Sequence, residues 1–330
     1  MANDEHFLVT GALGCIGSWT VAQLVHEGVD VTAYDLGEDS YRLRYVLEGD
    51  ELAAIDFVQG DIADLDRLER VTAKNGITHM IHLAALQVPF CKADPPLGAL
   101  VNVVGTVNVF EVAKRRADHV QRVVYASSAA VYGPTSSYPA GPVPAEVALY
   151  PGTHYGVYKQ ANEGTARIYW QNDGVTSIGL RPYIVYGLGR DQGMTSGASK
   201  AMLAAAAGRS FHIPHGGRAD FHLASDVAKT LIKCVRAAYV GASVHNVRGD
   251  GTHISQVVAA IEAAAGGSSG KVTYEADVTF PFPERLSEAS LAEIIGEVPH
   301  TPFEEGVKRT VQGFRRLIEA GKIDVDRSLA

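Results

Sequence analysis

The chain has 330 residues, 46% hydrophobic and 20% charged, and its 29 Lys and Arg against 37 Asp and Glu give a formal net charge of −8. This composition predicts one large soluble α/β unit or two sub-domains that share a core, and it does not indicate disorder. No basic run is dense enough for a nucleic-acid surface or an anionic membrane, so we expect a small-molecule partner.

The N-terminus and the cysteines bear on the compartment. The acidic stretch 1–6 meets the first strand directly, which predicts no signal peptide, and we expect no apolar stretch to reach the roughly 20 residues of a membrane span. Cys15, Cys91 and Cys234 are an odd number without metal-ligand spacing, which favours reduced thiols over a disulfide framework or a metal site. We therefore predict a cytoplasmic protein without a membrane partner.

A short apolar strand, 8–10, runs into a glycine-rich turn and then into a helix from about Ile16 to His26. The glycines are Gly11, Gly14 and Gly17. This spacing allows a tight bend, close approach of a pyrophosphate and close packing of the helix, so we predict a dinucleotide site; a turn that serves packing alone is the alternative. Cys15 lies inside the turn, where we favour a packed small side chain over a redox switch.

The second strand, 31–35, ends in Asp35, about where the fingerprint expects a carboxylate that binds the ribose. The next residues, 37–39, offer no Arg or Lys beside this acid. Because Asp35 would repel a 2′-phosphate, NAD is favoured over NADP.

Two further strands end near candidate ligand contacts. The third, 55–59, is followed by Asp61, which either faces the ligand crevice or caps the helix that starts near residue 64. The fourth, 80–83, runs into small residues that let a flat ligand lie close. A long amphipathic helix is predicted over 97–116, and its Asn102 either makes a buried hydrogen bond or faces solvent.

Strands are also predicted at 122–126, 177–181 and 245–247, and repeated βαβ units of this kind indicate a doubly wound (Rossmann) parallel sheet. Segment 134–151 is expected to be a surface loop, and the small residues 265–270 another. We place an NAD-binding domain in 1–187 and 219–248. A smaller substrate-binding lobe takes 188–218 and 249–330.

Tyr155 and Lys159 stand four residues apart at the start of a predicted helix and therefore reach one face. An ammonium stabilises a phenolate, and an oxidised nicotinamide adds positive charge. Tyr155 could then take the proton of a substrate alcohol while hydride leaves its carbon, with Ser128, at the end of the fifth strand, holding the alcohol oxygen. A Tyr-x-x-x-Lys match alone also arises by chance as a surface pair.

At these motifs the chain resembles the extended short-chain dehydrogenases/reductases, in the NAD-dependent sugar epimerase/dehydratase branch. The matching segments are 10–17, Asp35, 60–62, 82–85, Asn102 with 105–106, 127–133, Tyr155 with Lys159, and 180–182. The resemblance implies that Asp61 and Ile62 lie at the adenine, that 83–85 line the cofactor, that Asn102 supports the active-site helix, and that Ser128 is catalytic.

Two differences from the family pattern limit the reactions and substrates that we expect. Dehydratases carry Thr-Asp-Glu where this chain has 128–130, Ser-Ala-Ala, so the acid and base for loss of water are missing. Positions that contact the phosphates of nucleotide sugars are Ile184 and Ala219 here, and no Arg precedes Arg285 in its segment. We therefore expect a substrate without a nucleotide diphosphate. Arg218, or Arg190 of the same lobe, could instead hold a single carboxylate.

The sequence thus predicts an NAD-dependent oxidoreductase that transfers hydride from a secondary alcohol of a small sugar, sugar acid or polyol. A nucleotide-sugar 4-epimerase with tightly held NAD is the alternative, and a sensor that binds NAD without turnover is a third class. The predicted catalytic residues are Ser128, Tyr155 and Lys159. The predicted cofactor contacts are Gly11, Gly14, Cys15, Ile16, Gly17, Asp35, Asp61, Ile62, Leu83, Ala84, Ala85, Asn102, Tyr155, Lys159 and Pro182. The predicted substrate contacts are Gln87, Ser128, Ala129, Tyr155, Tyr183 and Arg218.

We also expect a homodimer, because family members commonly pair through the helices that carry Asn102 and Tyr155. The apolar residues proposed for this face are Leu100, Val104, Val107, Ala161 and Ile168.

Overall fold

The structure, a computed structural model, describes residues 5–267 and 271–329. Its strands are β1 (His6–Thr10), β2 (Asp30–Asp35), β3 (Asp56–Gln59), β4 (His79–His82), β5 (Arg122–Ala126), β6 (Ser177–Arg181), β7 (Ile184–Tyr186), β8 (Phe211–Ile213), β9 (Arg218–Leu223), β10 (Ala242–Asn246), β11 (Asp250–His253) and β12 (Val272–Tyr274). Its helices are α1 (Cys15–His26), α2 (Tyr41–Arg44), α3 (Gly49–Leu52), α4 (Leu65–Lys74), α5 (Val88–Ala93), α6 (Pro95–Ala99), α7 (Gly105–Arg115), α8 (His154–Asp173), α9 (Gly197–Ala206), α10 (Ala224–Arg236), α11 (Ile254–Ala265), α12 (Ala289–Ile295), α13 (Phe303–Glu319) and α14 (Val325–Leu329).

Seven strands form a parallel sheet in the order β10-β6-β5-β4-β1-β2-β3. The order reverses at β1, which has β2 on one side and β4 on the other. Crevices at such switch points, outside the carboxyl ends of the strands, are where ligands bind in open α/β sheets. The predicted doubly wound parallel sheet is confirmed.

Helices cover both faces of this sheet because successive strand residues point to opposite sides. On β1, Phe7 and Val9 pack with α1 and α10, whereas Leu8 packs with α4, α7 and α8. All three side chains are fully buried. The alternation explains why the three central residues of β1 are all apolar.

A second apolar core joins α9, α11 and α13 to two small sheets. One sheet has the order β11-β9-β7, and the other pairs β12 with β8. The division into two domains stays a prediction. Of the predicted loop at 265–270, Ala265 ends α11, and residues 268–270 lie outside the described part of the chain.

The long predicted helix runs without a break from Pro95 to Arg115, with a π-helical turn at Leu100–Val104 between α6 and α7. By length and composition it could cross a membrane, so the expectation that no apolar stretch reaches this length is wrong. Half of its apolar window is buried inside the protein, and a single such helix is weak evidence for a membrane span.

Candidate active site

The three glycines after β1 lie in different structural environments. Gly11 has φ +69°, and a Cβ there would lie 2.6 Å from the backbone nitrogen of Ala84. A Cβ on Gly17 would lie 2.1 Å from the carbonyl oxygen of Gly11. These two glycines permit the bend and the close packing of α1.

Gly14 has the more open environment. Among the described residues, a Cβ there would approach only the Gly11 carbonyl oxygen, at 3.2 Å. Gly14 is also the residue before α1, whose first N–H groups lack partners within the helix. An open position beside free amides suits a pyrophosphate, so the turn fits NAD.

Asp35, at the carboxyl end of β2, braces this turn. Its carboxylate accepts hydrogen bonds from the backbone N–H of Leu13, at 2.9 Å, and of Gly37, at 3.0 Å. Because Leu13 belongs to the glycine turn, Asp35 is held against that turn.

The third strand end carries Asp61 and Ile62. Asp61 is exposed and accepts a hydrogen bond from the Ala63 N–H at 2.9 Å, whereas the cap of α4 is Asp64. The alternative prediction, that Asp61 caps the helix now seen as α4, is therefore wrong. Ile62 is buried, and a Cβ on Gly105 would lie 2.7 Å from its side chain.

The segment after β4 lies against the glycine turn. The N–H of Leu83 donates to the Thr10 carbonyl oxygen at 3.0 Å, and His82 lies between two threonine hydroxyls in the core. Burial lowers the pKa of His82 to about 3, so it is neutral. Leu83, Ala84 and Ala85 thus follow the strand end next to Gly11.

Asn102 is buried and faces the same segment rather than solvent. Its side-chain oxygen accepts from the Leu86 N–H at 2.7 Å, and its amide donates to the Leu86 carbonyl at 2.9 Å. The amide also lies 3.3 Å from the sulfur of Cys91. Asn102 therefore fixes the loop after β4, and a contribution to the cofactor site would act through that loop.

Tyr155 and Ser128 meet because α8 packs closely on the turn after β5. A Cβ on Gly156 would lie 2.2 Å from the Ala130 carbonyl oxygen, so only glycine allows this approach. The Ser128 hydroxyl accepts a hydrogen bond from the Ala130 N–H at 3.1 Å and lies near the Tyr155 hydroxyl. Burial raises the pKa of Tyr155, and the neighbouring Ser128 side chain opposes the rise.

Lys159 lies behind Tyr155 on the same helix. Its ammonium is 5.7 Å from the centre of the Tyr155 ring and donates to the Ala126 carbonyl oxygen at 2.7 Å. The side chain is buried, and burial lowers its pKa to about 8. The protein alone therefore favours a protonated Tyr155 beside a lysine that loses its charge above about pH 8.

The sequence reading missed Glu163, which continues the four-residue spacing from Lys159. Its carboxylate accepts two bonds from Arg181, both at 2.8 Å, and one from the Ser127 hydroxyl at 2.5 Å. Arg181 also donates to the Tyr132 hydroxyl at 2.8 Å. This buried ion pair ties α8 to the ends of β5 and β6, which carry Ser128 and the predicted cofactor contact Pro182.

Arg190 was named from the sequence, beside Arg218, as a residue that could hold a carboxylate. It follows β7, and its charge acts on Tyr155 by lowering the pKa of that hydroxyl. Gln87, a predicted substrate contact, reaches the same place, since a Cβ on Gly193 would collide with the Gln87 side chain at 1.8 Å. No local pattern indicates this approach of two distant loops.

The other predicted substrate contacts differ in their placement. Ala129 is buried beside Ser128. Tyr183 packs edge-on against Phe280 and Phe282, and its hydroxyl is buried without a hydrogen-bond partner in the described chain. Arg218 is exposed and donates to the Gly251 carbonyl oxygen. Its guanidinium therefore lies against β11, the strand that pairs with β9.

A polar cluster connects the glycine turn to the segment after β7. Arg42 donates to the carbonyl oxygens of Leu13 and Gly189, each at 3.0 Å, and pairs with Asp191 at 2.6 Å. The Tyr41 hydroxyl also donates to Asp191, at 2.6 Å. We call Arg42 and Asp191 the clasp.

Cys15 lies next to the clasp. Its thiol faces the Leu188 carbonyl oxygen at 3.8 Å, and burial raises its pKa to about 11. A thiol that stays protonated is a packed side chain rather than a reactive one. Ile16, the following residue, packs against the core beneath α1.

Similarity to known proteins extends over most of the chain. A model of the NAD dependent epimerase/dehydratase family matches residues 7–247. The UDP-glucose 4-epimerase of Mycolicibacterium smegmatis is 30% identical over 314 residues, which cover 93% of this chain and 98% of that protein. UDP-glucuronate 4-epimerase 2 of Arabidopsis thaliana is 34% identical over 191 residues, which cover 56% of this chain and 43% of that protein.

Solved structures share the fold over nearly the whole length. The UDP-glucose 4-epimerase of Thermus thermophilus in complex with NAD is 27% identical with a TM-score of 0.78, over 94% of this chain and 99% of that one. A partial consensus L-threonine 3-dehydrogenase is 24% identical with a TM-score of 0.82, over the same shares. The second likeness shows the fold alone.

Proposed function

The chain belongs to the NAD-dependent epimerase/dehydratase family, and on that premise we propose that it oxidises a secondary alcohol of a small sugar, sugar acid or polyol. Membership makes it an NAD-dependent epimerase or dehydrogenase of the extended short-chain type. The resemblance stated from the motifs and the NAD cofactor are both confirmed. The choice between the two reactions is the proposal.

The observation that carries the redox chemistry, which both reactions share, is that Ser128 lies near Tyr155 and that the buried Lys159 ammonium is 5.7 Å from the Tyr155 ring. Ser128 holds the substrate alcohol oxygen, and Tyr155 takes its proton. Lys159 supplies positive charge near the phenol and donors for ribose hydroxyls. When bound, NAD accepts the hydride from the alcohol carbon.

We assign the binding of NAD to the glycine turn and the strand ends around it. The turn holds the pyrophosphate, Asp35 the ribose, and Asp61 with Ile62 the adenine. The segment 83–85 and Pro182 line the cofactor, and Asn102 keeps that segment in place. A glycine turn with an uncapped helix start and a carboxylate beside it supports this assignment.

The dehydrogenase is favoured over the nucleotide-sugar 4-epimerase because two positions cannot bind phosphate. Ile184 and Ala219 are buried in β7 and β9 and carry no hydrogen-bonding side chain. A pyrophosphate left without donors is costly to bury. The epimerase keeps independent support from the 30% identical relative named UDP-glucose 4-epimerase.

A cytoplasmic homodimer is part of the proposal. Exposed apolar side chains on the helix Pro95–Arg115 and on α8 support the dimer; they are Leu97, Leu100, Val104, Val157 and Ile168. The two helices pack against each other, so exposed residues of both are available to one interface.

The reaction is tested by mixing the protein with NAD and a panel of sugars, sugar acids and polyols and following absorbance of the reduced nicotinamide. Net NADH supports the dehydrogenase, and an isomerised product without net NADH supports the epimerase. NAD binding without either outcome supports a sensor. Calorimetry of the NAD-loaded protein with uridine or thymidine diphosphate is the second arm, and micromolar affinity for either would favour the epimerase.

A further inference from the structure

Arg190 is held in a fixed turn at the mouth of the proposed substrate site. Its N–H donates to the Gly187 carbonyl oxygen at 3.2 Å, and Gly187 and Gly189 on either side of Leu188 have φ of +132° and +82°. The Leu188 carbonyl oxygen accepts from the Trp19 indole at 3.1 Å. The backbone that carries Arg190 is therefore anchored to α1.

The guanidinium of Arg190 is incompletely paired. One terminal nitrogen donates to the Thr195 hydroxyl at 2.7 Å, while Nε is buried and has no hydrogen-bond partner among the described residues. No carboxylate of residues 5–267 or 271–329 forms an ion pair with it, and the adjacent Asp191 is already bound by Arg42. A partly buried cation in this state is stabilised by an anion that the protein does not supply.

This cation faces the reacting groups. Its charge acts on the Tyr155 hydroxyl. A Cβ on Gly193 would lie 3.4 Å from the Arg190 terminal nitrogen and 1.8 Å from the Gln87 side-chain oxygen, so both side chains converge beside one backbone position. Arg190 and Gln87 therefore border the same space, and Arg190 is near enough to Tyr155 for its charge to lower the pKa of that hydroxyl.

We propose that Arg190 binds a carboxylate of the substrate, and that the substrate is a small hydroxy acid whose secondary alcohol reaches Tyr155. The inference rests on the proposed function and specifies its substrate class. A guanidinium matches a carboxylate through two parallel hydrogen bonds. One arginine suits one carboxylate, whereas a pyrophosphate would also need donors where Ile184 and Ala219 stand.

A neutral sugar fits this site less well. A hydroxyl can accept one hydrogen bond from Arg190 but leaves its charge uncompensated in the cleft. Hydrogen bonds to charged groups contribute about 1.5–3 kcal/mol, or roughly 10- to 150-fold in affinity. The acid should therefore exceed its neutral partner by at least about tenfold in kcat/KM.

The experiment compares matched pairs of substrates on the full chain with NAD. The pairs are galactose with galacturonate, glucose with glucuronate, and threoninol with threonine. We expect NADH formation to favour the acid of a pair, and Arg190→Met to lower kcat/KM for that acid about 10- to 150-fold more than for the neutral partner, since loss of the charge near Tyr155 slows both. Arg190→Lys should recover part of the loss. Arg309→Met, on the exposed face of α13, is the control that should change neither.

Binding of malonate to the NAD-loaded protein gives a readout that does not depend on turnover. We expect calorimetric binding in the wild type and its loss in Arg190→Met. Equal rates with acids and neutral sugars, or malonate binding retained in Arg190→Met, would overturn the carboxylate site while the dehydrogenase stands. Malonate binding lost in Arg190→Met, with no NADH from any alcohol, would support the site and overturn the dehydrogenase.

Discussion

Replacing Glu163 by Gln removes the charge that neutralises Arg181 in the core. Both side chains are nearly inaccessible, with 9% and 4% of their surface exposed. Breaking a buried pair by removing one partner costs about 3–5 kcal/mol, and we expect the lower end because glutamine still accepts one bond from Arg181. The expected loss of unfolding free energy is therefore about 3 kcal/mol.

This loss translates into a modest shift of the melting temperature. An unfolding entropy of about 2.1 cal/mol/K per residue gives about 0.7 kcal/mol/K for 330 residues. Dividing about 3 kcal/mol by this value predicts a decrease of about 4 °C. Circular dichroism at 222 nm, scanned at two rates to test reversibility, measures it.

Glu305→Gln is the matched control, because Glu305 also pairs with an arginine but lies at the surface of α13. It should leave the melting temperature unchanged. If Glu163→Gln melts with the wild type, the buried pair does not hold α8 against the sheet.

Three other perturbations test the site and the assembly. Tyr155→Phe should lower turnover by roughly 10² or more while NAD still binds, and near-normal turnover would require another base. Tyr158→Phe is the control and should retain activity, because the Tyr158 hydroxyl donates to the Pro95 carbonyl oxygen at 3.0 Å. Titration should show NAD bound at least about tenfold more tightly than NADP because of Asp35, and equal affinities would refute that role. Light scattering at micromolar protein should give a dimer that Ile168→Glu dissociates, and a monomeric wild type would contradict the interface.

The sequence located the elements whose signals are local. Neighbouring residues determine the glycine spacing, the apolar strands and the four-residue step from Tyr155 to Lys159. The strands of the large sheet were predicted to within a few residues at their ends. The sheet β11-β9-β7 was not predicted, because its strands have three to six residues and too few alternations for a period.

The sequence named Gln87 and Arg190 as candidates but did not indicate that they meet, because their contact joins distant segments. Arg190 and Gln87 are about a hundred residues apart, and nothing in either segment indicates that they meet. Arg218 was predicted as a substrate contact, although it stands one residue before Ala219, the position that contacts phosphate in the family. In a strand, neighbouring side chains point to opposite faces of the sheet. The role of Arg218 stays a prediction.

The clasp has a consequence for attempts to redesign the specificity of this protein. Arg42 contacts the glycine turn through Leu13 and the segment of Arg190 through Gly189 and Asp191. A loop grafted from a relative into 187–196 to change the substrate would remove one end of this link unless Asp191 is kept. Such chimaeras should lose affinity for NAD along with the old substrate, so cofactor binding and substrate choice cannot be exchanged as independent modules.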